Sequence, residues 1–410
     1  MDTVTVKSKP VIGKGPFLRS VDEGKNSTGR MMLNILISVI PLIIFGWVKN
    51  GIIPFFKYDN VSFITMIWPL LFVVVGAFTS IALECLYFTL FMGIKNPKEL
   101  LKKAYESYAI IPGVLLALIL PLYTPMWMLM LGCLFANIIF KMLFGGFGHN
   151  IFNPALIGYA FIMTMFAGSL SGSYFSAYDL YNTTASVTPL GIYNGNLAAS
   201  YETLVAPYGS LWNFFFGMIP GSIGETSAFL IIAAYVYLVI TKTINWYVPA
   251  LYVGTVFGLT WIVGAVNGQG GIWYPLYNVL SGGLLFGAVF MATEPVTAPK
   301  TPNGKVIFSL LLGVLTVLFR CIGSMNEGVA TSILFMCLFS NIIDKFCAKI
   351  RAQGNDKKAI ISAVIKYACV GLLIVAIAVF AIVQSTSRVK VVEMNVNDVL
   401  TYVSTMLGGR

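Results

Sequence analysis

A chain of 410 residues that is 58% hydrophobic and only 10% charged, with a mean hydropathy of +0.84, is excluded from the soluble globular class, where about a quarter of residues carry charge. The composition reads as a polytopic membrane protein, whose main partner is the lipid bilayer. The net charge of +10 does not point to nucleic acid, because Lys and Arg gather at the ends of apolar runs and form no basic stripe with interleaved aromatics.

Residues 1–30 are polar and basic and hold no short apolar core followed by a small-residue cleavage site, so the first span is expected to serve as the insertion signal. Eleven apolar runs follow, on the scale of about 20 residues that a crossing requires: 31–48, 61–92, 108–122, 127–143, 154–167, 223–240, 246–266, 275–293, 306–322, 328–343 and 359–383. Basic residues concentrate in 93–107, 299–305 and 344–358, and short basic loops face the cytoplasm. Counting spans between them puts the N-terminus and all three loops on the cytoplasmic side. The stretch 168–222, with no Lys or Arg, then lies outside.

The expected domains are a cytoplasmic segment 1–30, a first membrane repeat 31–167, an outer loop 168–222, a second membrane repeat 223–343, a basic linker 344–358, and an added helix with a tail, 359–410. The repeat rests on a faint similarity. Pro112-Gly-Val-Leu-Leu-Ala resembles Ser281-Gly-Gly-Leu-Leu-Phe, and the following spans end in Phe140-Lys141 and Phe319-Arg320. Because the third span leaves the cytoplasm and the eighth returns to it, the copies are inverted, an arrangement that builds sites near the midplane. The fold class is therefore an all-α polytopic membrane protein, a ten-helix inverted 5+5 core plus one C-terminal transmembrane helix.

Three stretches and a set of acids are candidates for chemistry. Gly145-Gly-Phe-Gly-His-Asn-Ile-Phe-Asn153 before Pro154 can form a backbone pocket for a planar or anionic ligand, or simply a tight turn. Gly221-Ser-Ile-Gly-Glu-Thr226 opens the sixth span. Ser222 and Glu225 fit a capping box there, and the paired glycines fit a flavin edge. The run from Thr293 to Pro302 holds three prolines and cannot be a regular helix. Acids within or beside spans suggest an ion route, namely Glu84, Glu294, Glu327 and Asp344. The six cysteines form no CxxC pair and are read as buried thiols, and His149 is the sole histidine, so no metal site is expected.

Taken together, Asn150-Ile-Phe-Asn-Pro-Ala155, Gly221-Ser-Ile-Gly-Glu-Thr-Ser-Ala228 and Ala292-Thr-Glu-Pro-Val-Thr-Ala-Pro299, with Pro16-Phe-Leu-Arg-Ser20 and Leu115-Leu-Ala-Leu118, carry a resemblance over about residues 14–345. The chain resembles the RnfD component of the Rnf complex and its homologue NqrB, from the sodium-translocating NADH:quinone oxidoreductase, with the Rnf branch favoured. This resemblance implies a membrane flavoprotein subunit of an ion-translocating oxidoreductase of the bacterial inner membrane. Such a subunit has no activity alone and no catalytic residue of its own. It works beside flavin and iron–sulfur subunits and is matured by a flavin transferase.

The resemblance further implies covalent FMN, ester-linked through its phosphate to Thr188, and a noncovalent riboflavin in the membrane part. Asn182, Ala185, Ser186 and Val187 depart from the family's attachment motif, which leaves Thr183, Thr184 and Ser186 as fallback acceptors. Gly145, Gly146, Asn150, Asn153, Gly224, Glu225 and Thr226 are the expected pocket for the second flavin. Glu84, Glu294 and Asp344 are the expected ion route. The lack of Lys and Arg near Thr188 predicts no local cation beside the tethered flavin. A urea-transporter-like channel and a redox-silent scaffold are the rival readings.

Overall fold

The computed structural model describes residues 28–59, 61–122, 124–170, 189–190, 199–322, 328–352 and 357–408, and all regular structure among them is helical. The attachment stretch 178–188 and Glu327 lie outside the described residues. Thr28–Lys57, Phe63–Met92, Tyr247–Val266, Pro302–Cys321 and Ile360–Ser385 are each long and apolar enough to cross a bilayer. Trp273–Leu280 and Leu284–Met291 make a sixth span bent by 65°. The protein is a multi-pass membrane protein.

The principal helices are α1 (Thr28–Trp47), α2 (Phe63–Met92), α3 (Ile110–Ile119), α4 (Met126–Leu134), α5 (Pro154–Met165), α6 (Ala228–Ile240), α7 (Tyr247–Val266), α8 (Trp273–Leu280), α9 (Leu284–Phe286), α10 (Pro302–Ile322), α11 (Val329–Arg351) and α12 (Lys357–Gly408). Each of the eleven expected spans has a helix. Three of them loosen into π-helical turns: α1 at Val48–Ile52, α4 at Phe135–Met142 and α9 at Gly287–Met291. Single-turn widening of this kind is rare and gathers at functional positions.

Local chemistry sets most of the helix ends. Ser62 accepts from the amide of Thr65 to start α2, and Gly93 at φ 68° stops it in the left-handed region where glycine carries no Cβ penalty. Asn153 caps α5 by accepting from Ala155 and Leu156, with Pro154 in the first turn. The expected capping box at Ser222–Glu225 is not formed. The sixth span begins later, at Ala228, and its cap is Ser227, which accepts from Leu230. Ser222 has another task, since its hydroxyl donates to the carbonyl of Ile119 at 2.9 Å while the Gly224 amide donates to Leu118 at 2.9 Å.

Those two bonds explain a helix that stops half-way. At 1.5 Å per residue the ten residues of α3 rise about 15 Å, half of a bilayer's apolar thickness. Carbonyls at such a buried end need donors from protein, because no water reaches them. The 221–227 segment supplies them, and it has no room for larger residues. A Cβ on Gly224 would lie 2.8 Å from Phe286 and 3.0 Å from Leu118.

Cross-links between helix ends fix the direction of each span. Asn34 at the start of α1 donates to Thr243 beyond the end of α6 at 3.0 Å, and Trp47 at the far end of α1 donates to the carbonyl of Met66 near the start of α2 at 3.0 Å. Asp344 of α11 accepts from Lys300 and Thr301 at the start of α10. The spans therefore alternate between two ends of the bundle. One end holds Lys141, Glu294 and Asp344, and the other holds Pro189 and Arg320.

Close packing relies on small residues, as expected where lipid offers no hydrophobic drive for helix association. A Cβ on Gly76 of α2 would lie 2.7 Å from the Gly113 carbonyl of α3, and one on Gly158 of α5 would lie 2.7 Å from the Gly132 carbonyl of α4. Four of the six cysteines are buried as expected, whereas Cys85 is half-buried and Cys369 exposed on the outward side of α12. The exposed leucines, isoleucines and valines of α2 and α12 face outward, where lipid would cover them. The expected linker at 344–358 is partly helix, since α11 continues to Arg351.

Candidate functional site

Two polar rungs join α2 to the π-helical end of α4. Asn137 donates to Ser80 Oγ at 2.7 Å, and one turn on, Lys141 Nζ donates to Glu84 Oε1 at 2.5 Å. Both steps are four residues long, so each helix presents its pair on one face. Glu84 and Lys141 are 0% and 1% exposed. Lys141 also donates to the carbonyl of Ser107, just before α3, at 2.7 Å. Three side-chain oxygens of the cluster remain without a hydrogen bond, Glu84 Oε2, Ser107 Oγ and Asn137 Oδ1.

Lys141 has a second side. It lines a cavity with Met32, Tyr108, Phe147, Asn150, Asn153, Phe290, Thr293 and Glu294, drawn from the ends of six segments. The cavity encloses about 550 Å³ counting its mouth, of which about 40 Å³ admits a water-sized sphere. Asn150 is 7% exposed, and its Oδ1 makes no hydrogen bond. Glu294 is held by the Thr297 hydroxyl, which donates to Oε2 at 2.9 Å. The irregular 293–301 backbone that presents Glu294 follows from Pro295 and Pro299, with Pro302 opening the next helix, as expected.

The structure brings some expected pocket residues together and separates others. Asn150, Asn153 and Glu294 share this cavity. Gly145 and Gly146 line a neighbouring one with Tyr87, Lys103, Glu106 and Ser107, and their φ values of 110° and 85° require glycine. Gly224, Glu225 and Thr226 sit elsewhere, against the end of α3 and the bend between α8 and α9. There a Cβ on Gly283 would lie 2.6 Å from Glu225 Oε1. Asp344 has a capping position. Its Oδ1 accepts from the Thr301 amide at 2.9 Å and hydroxyl at 2.7 Å, and its Oδ2 accepts from the Lys300 amide at 2.8 Å. Burial lowers the Lys300 ammonium from its ordinary range, and the Asp344 charge opposes that shift.

At the opposite end, residues 189–190 are the described part of the attachment stretch. Both are buried, and the Pro189 carbonyl accepts from the Tyr277 hydroxyl at 2.6 Å. Leu190 packs on Gly282, whose φ of 67° marks the α8–α9 bend, and a Cβ on Gly282 would lie 2.4 Å from Leu190. Arg320 lies behind the same bend, 1% exposed, donating to the carbonyls of Asn278 at 2.5 Å and Ser281 at 3.3 Å. Thr188 itself lies outside the described residues, and Arg320 is a buried cation on the other side of Gly282 from Leu190. Arg320 comes from a span 130 residues later, which no count along the loop includes.

Two of the three buried cations among the described residues, Lys141 and Arg320, echo each other. Lys141 ends the fourth span and reaches back to the carbonyl before the third, and Arg320 ends the ninth and reaches back to carbonyls of the eighth, at opposite ends of the bundle. This is the relation that Phe140-Lys141 and Phe319-Arg320 suggested in the sequence. What the sequence did not show was the Glu84 partnership. The Ser80–Glu84 and Asn137–Lys141 spacings were the available signal, two polar i, i+4 pairs in otherwise apolar helices.

Comparison with known proteins fits this geometry. A profile described as the NQR2, RnfD, RnfE family matches residues 12–353, which leaves α12 outside the match. The D subunit of the proton-translocating ferredoxin:NAD⁺ oxidoreductase complex of Clostridium ljungdahlii is 39% identical over 60% of this chain and 74% of its own length. The B subunit of the Na⁺-translocating NADH-quinone reductase of Chromohalobacter salexigens is 40% identical over 60% of both chains. The D subunit of the Na⁺-translocating ferredoxin:NAD⁺ oxidoreductase complex of Acetobacterium woodii is 29% identical over 84% of this chain and 96% of its own. With over three quarters of its length matched, the chain belongs to the NQR2, RnfD, RnfE family.

Proposed function

We propose that this chain is the membrane flavoprotein subunit of an Rnf-type ferredoxin:NAD⁺ oxidoreductase, coupling electron transfer to movement of Na⁺ or H⁺ across the bacterial inner membrane. The observation that carries the reading is the match to the D subunit of a ferredoxin:NAD⁺ oxidoreductase over 84% of this chain and 96% of that relative. The match to the quinone reductase subunit stops at 60% of each chain. That shorter match supports the second reading, a B subunit of the NADH:quinone type.

Within this reading Thr188 is the FMN attachment residue, followed directly by the anchored Pro189–Leu190 pair. Thr184 and Ser186 are the fallback acceptors. Anchoring residues 189–190 on Tyr277 and Gly282 fixes the exit of the tether at the bend of the eighth span. Arg320 then places a buried positive charge behind it, which favours an anionic phosphate or reduced ring nearby.

The cavity at the other end suits the second flavin. A flavin supplies one- and two-electron transfer. The pyrimidine edge of its ring combines acceptors and an N–H donor, and the cavity faces it with the Lys141 ammonium and the unpartnered Asn150 Oδ1, beside Tyr108, Phe147 and Phe290. Side chains at the mouth must part for a ring to enter the present space. Glu84 and Glu294 supply carboxylates for the ion route, with Asp344 at its basic-loop end.

Attachment is tested on a denaturing gel. The protein coexpressed with a flavin transferase is expected to give a fluorescent band, and Thr188→Val a dark one. A dark wild-type band removes the covalent flavin, and a fluorescent Thr188→Val band moves attachment to Thr184 or Ser186.

A further inference from the structure

We propose that the pocket ringed by Lys242, Lys300 and Lys305 binds a phosphate group, carried either by a lipid headgroup or by a soluble phosphate. About 270 Å³ of this pocket admits a water-sized sphere, and the space is separate from the Asn150–Glu294 cavity. Thr293 and Pro295 line both, so the turn that holds them is the partition. Three parts of the chain build the walls. The start of α1 gives Thr28 and Met31, the α6–α7 turn gives Lys242 and Thr243, and the 292–308 run gives the other two lysines. Asn34 of α1 ties the first two parts together by donating to Thr243 at 3.0 Å.

The pocket gathers positive charge from two origins. Its lining has three ammonium groups and no carboxylate. Asp344, which bonds the backbone beside this lining, is already engaged by the Lys300 and Thr301 amides and the Thr301 hydroxyl. Lys305 is the fourth residue of α10, in a first turn that holds no acid, at the positive end of the helix dipole. A cation is disfavoured at that end and an anion favoured. Lysines from two loops and the α10 end therefore add to one positive potential, and a phosphate satisfies all of them at once.

A general excess of lysine at one end of a membrane bundle explains the number of cations there, not the way Lys242 is held. Helix α6 ends in a Schellman turn, in which the Lys242 amide donates to the Val239 carbonyl at 3.0 Å and the Thr243 amide to the Leu238 carbonyl at 2.9 Å. The left-handed position of such a turn ordinarily goes to glycine, and here it is filled by Lys242 at φ 55°. The fold tolerates strain that glycine would remove, as happens where the side chain itself is needed. Among the described residues Tyr108 is the other non-glycine at positive φ, and it lines the cavity on the far side of the partition. Lys242 and Lys300 are exposed and Lys305 is half-buried, so a ligand can reach all three.

The test is thermal unfolding of the full chain, purified in a neutral maltoside detergent. The midpoint is followed as dioleoyl phosphatidylglycerol is added, with phosphatidylcholine as control, and as inorganic phosphate is added, with chloride at equal ionic strength as control. A ligand that binds only the folded protein raises the midpoint as its concentration grows. The wild type is expected to respond to at least one of the two. A rise with phosphatidylglycerol, with or without one from phosphate, names the lipid headgroup, and a rise with inorganic phosphate alone names a soluble phosphate. Lys242→Gly is expected to be at least as stable as the wild type without ligand, because glycine suits φ 55°, yet to need about tenfold more ligand for the same rise. Lys300→Gln/Lys305→Gln leaves the backbone amide of residue 300 to Asp344 and is expected to lose the rise. A wild-type midpoint that neither ligand lifts above its control overturns the proposal, as does an undiminished response in either variant.

Discussion

Lys141 shows how a single residue's meaning depends on what folds against it. In the sequence it is one basic residue at the end of an apolar run, which the tendency of cations to gather at span ends would explain. In the structure it is 1% exposed and paired with an acid 57 positions earlier. Removing one member of a buried pair leaves an uncompensated charge and costs about 3–5 kcal/mol, whereas neutralising both members costs far less. Lys141→Met is therefore expected to unfold at markedly lower denaturant, and Glu84→Gln/Lys141→Met to recover most of the loss. Helicity followed during SDS titration of the detergent-solubilised protein measures both.

At the scale of elements, the broken helices do the positioning. The half-length α3, the 221–227 segment and the α8–α9 bend meet in the interior, and the carbonyls at the end of α3 are satisfied by donors from the 221–227 segment. Residues 189–190 join this assembly through Tyr277. Replacing its hydroxyl leaves the buried Pro189 carbonyl without that donor, at about 1–3 kcal/mol. Tyr277→Phe keeps the ring contact with Phe214 and is expected to lower thermal stability by that amount. It should also reduce the FMN content of the gel band, because it frees the tether's exit. Unchanged stability would show that the hydroxyl is dispensable.

At the scale of the whole molecule, the family core and the added helix separate cleanly. The match ends at residue 353, and α12 begins at Lys357. With 52 residues, α12 is about 78 Å long, more than twice the bilayer's apolar thickness. It lies along α10 and α7, joined by the Asn303 donor to the Tyr367 hydroxyl at 2.8 Å. A chain truncated after residue 353 is expected to insert and fold as the ten-span core. In the full chain, cysteines placed at Lys98 and Lys390 should react with an impermeant maleimide from opposite sides of the membrane. Labelling of both from one side would overturn the eleven-span topology.

How much was legible divides along physical lines. The sequence by itself determined the membrane class, the order of spans and the family motifs. Apolar length, glycine at positive φ and proline chemistry are local properties, and they survive any tertiary arrangement. It also singled out Asn150, Asn153 and Glu294, which the fold gathers around one cavity. The tertiary structure alone decided that α3 stops half-way, that the sixth span starts at Ala228 behind the Ser227 cap, and that Gly224 and Gly145 serve different places. Those outcomes depend on which donor meets which buried carbonyl. Only the fold could set Lys141 against Glu84 and Arg320 behind Leu190, because the energy of a buried charge is fixed by neighbours brought from distant parts of the chain.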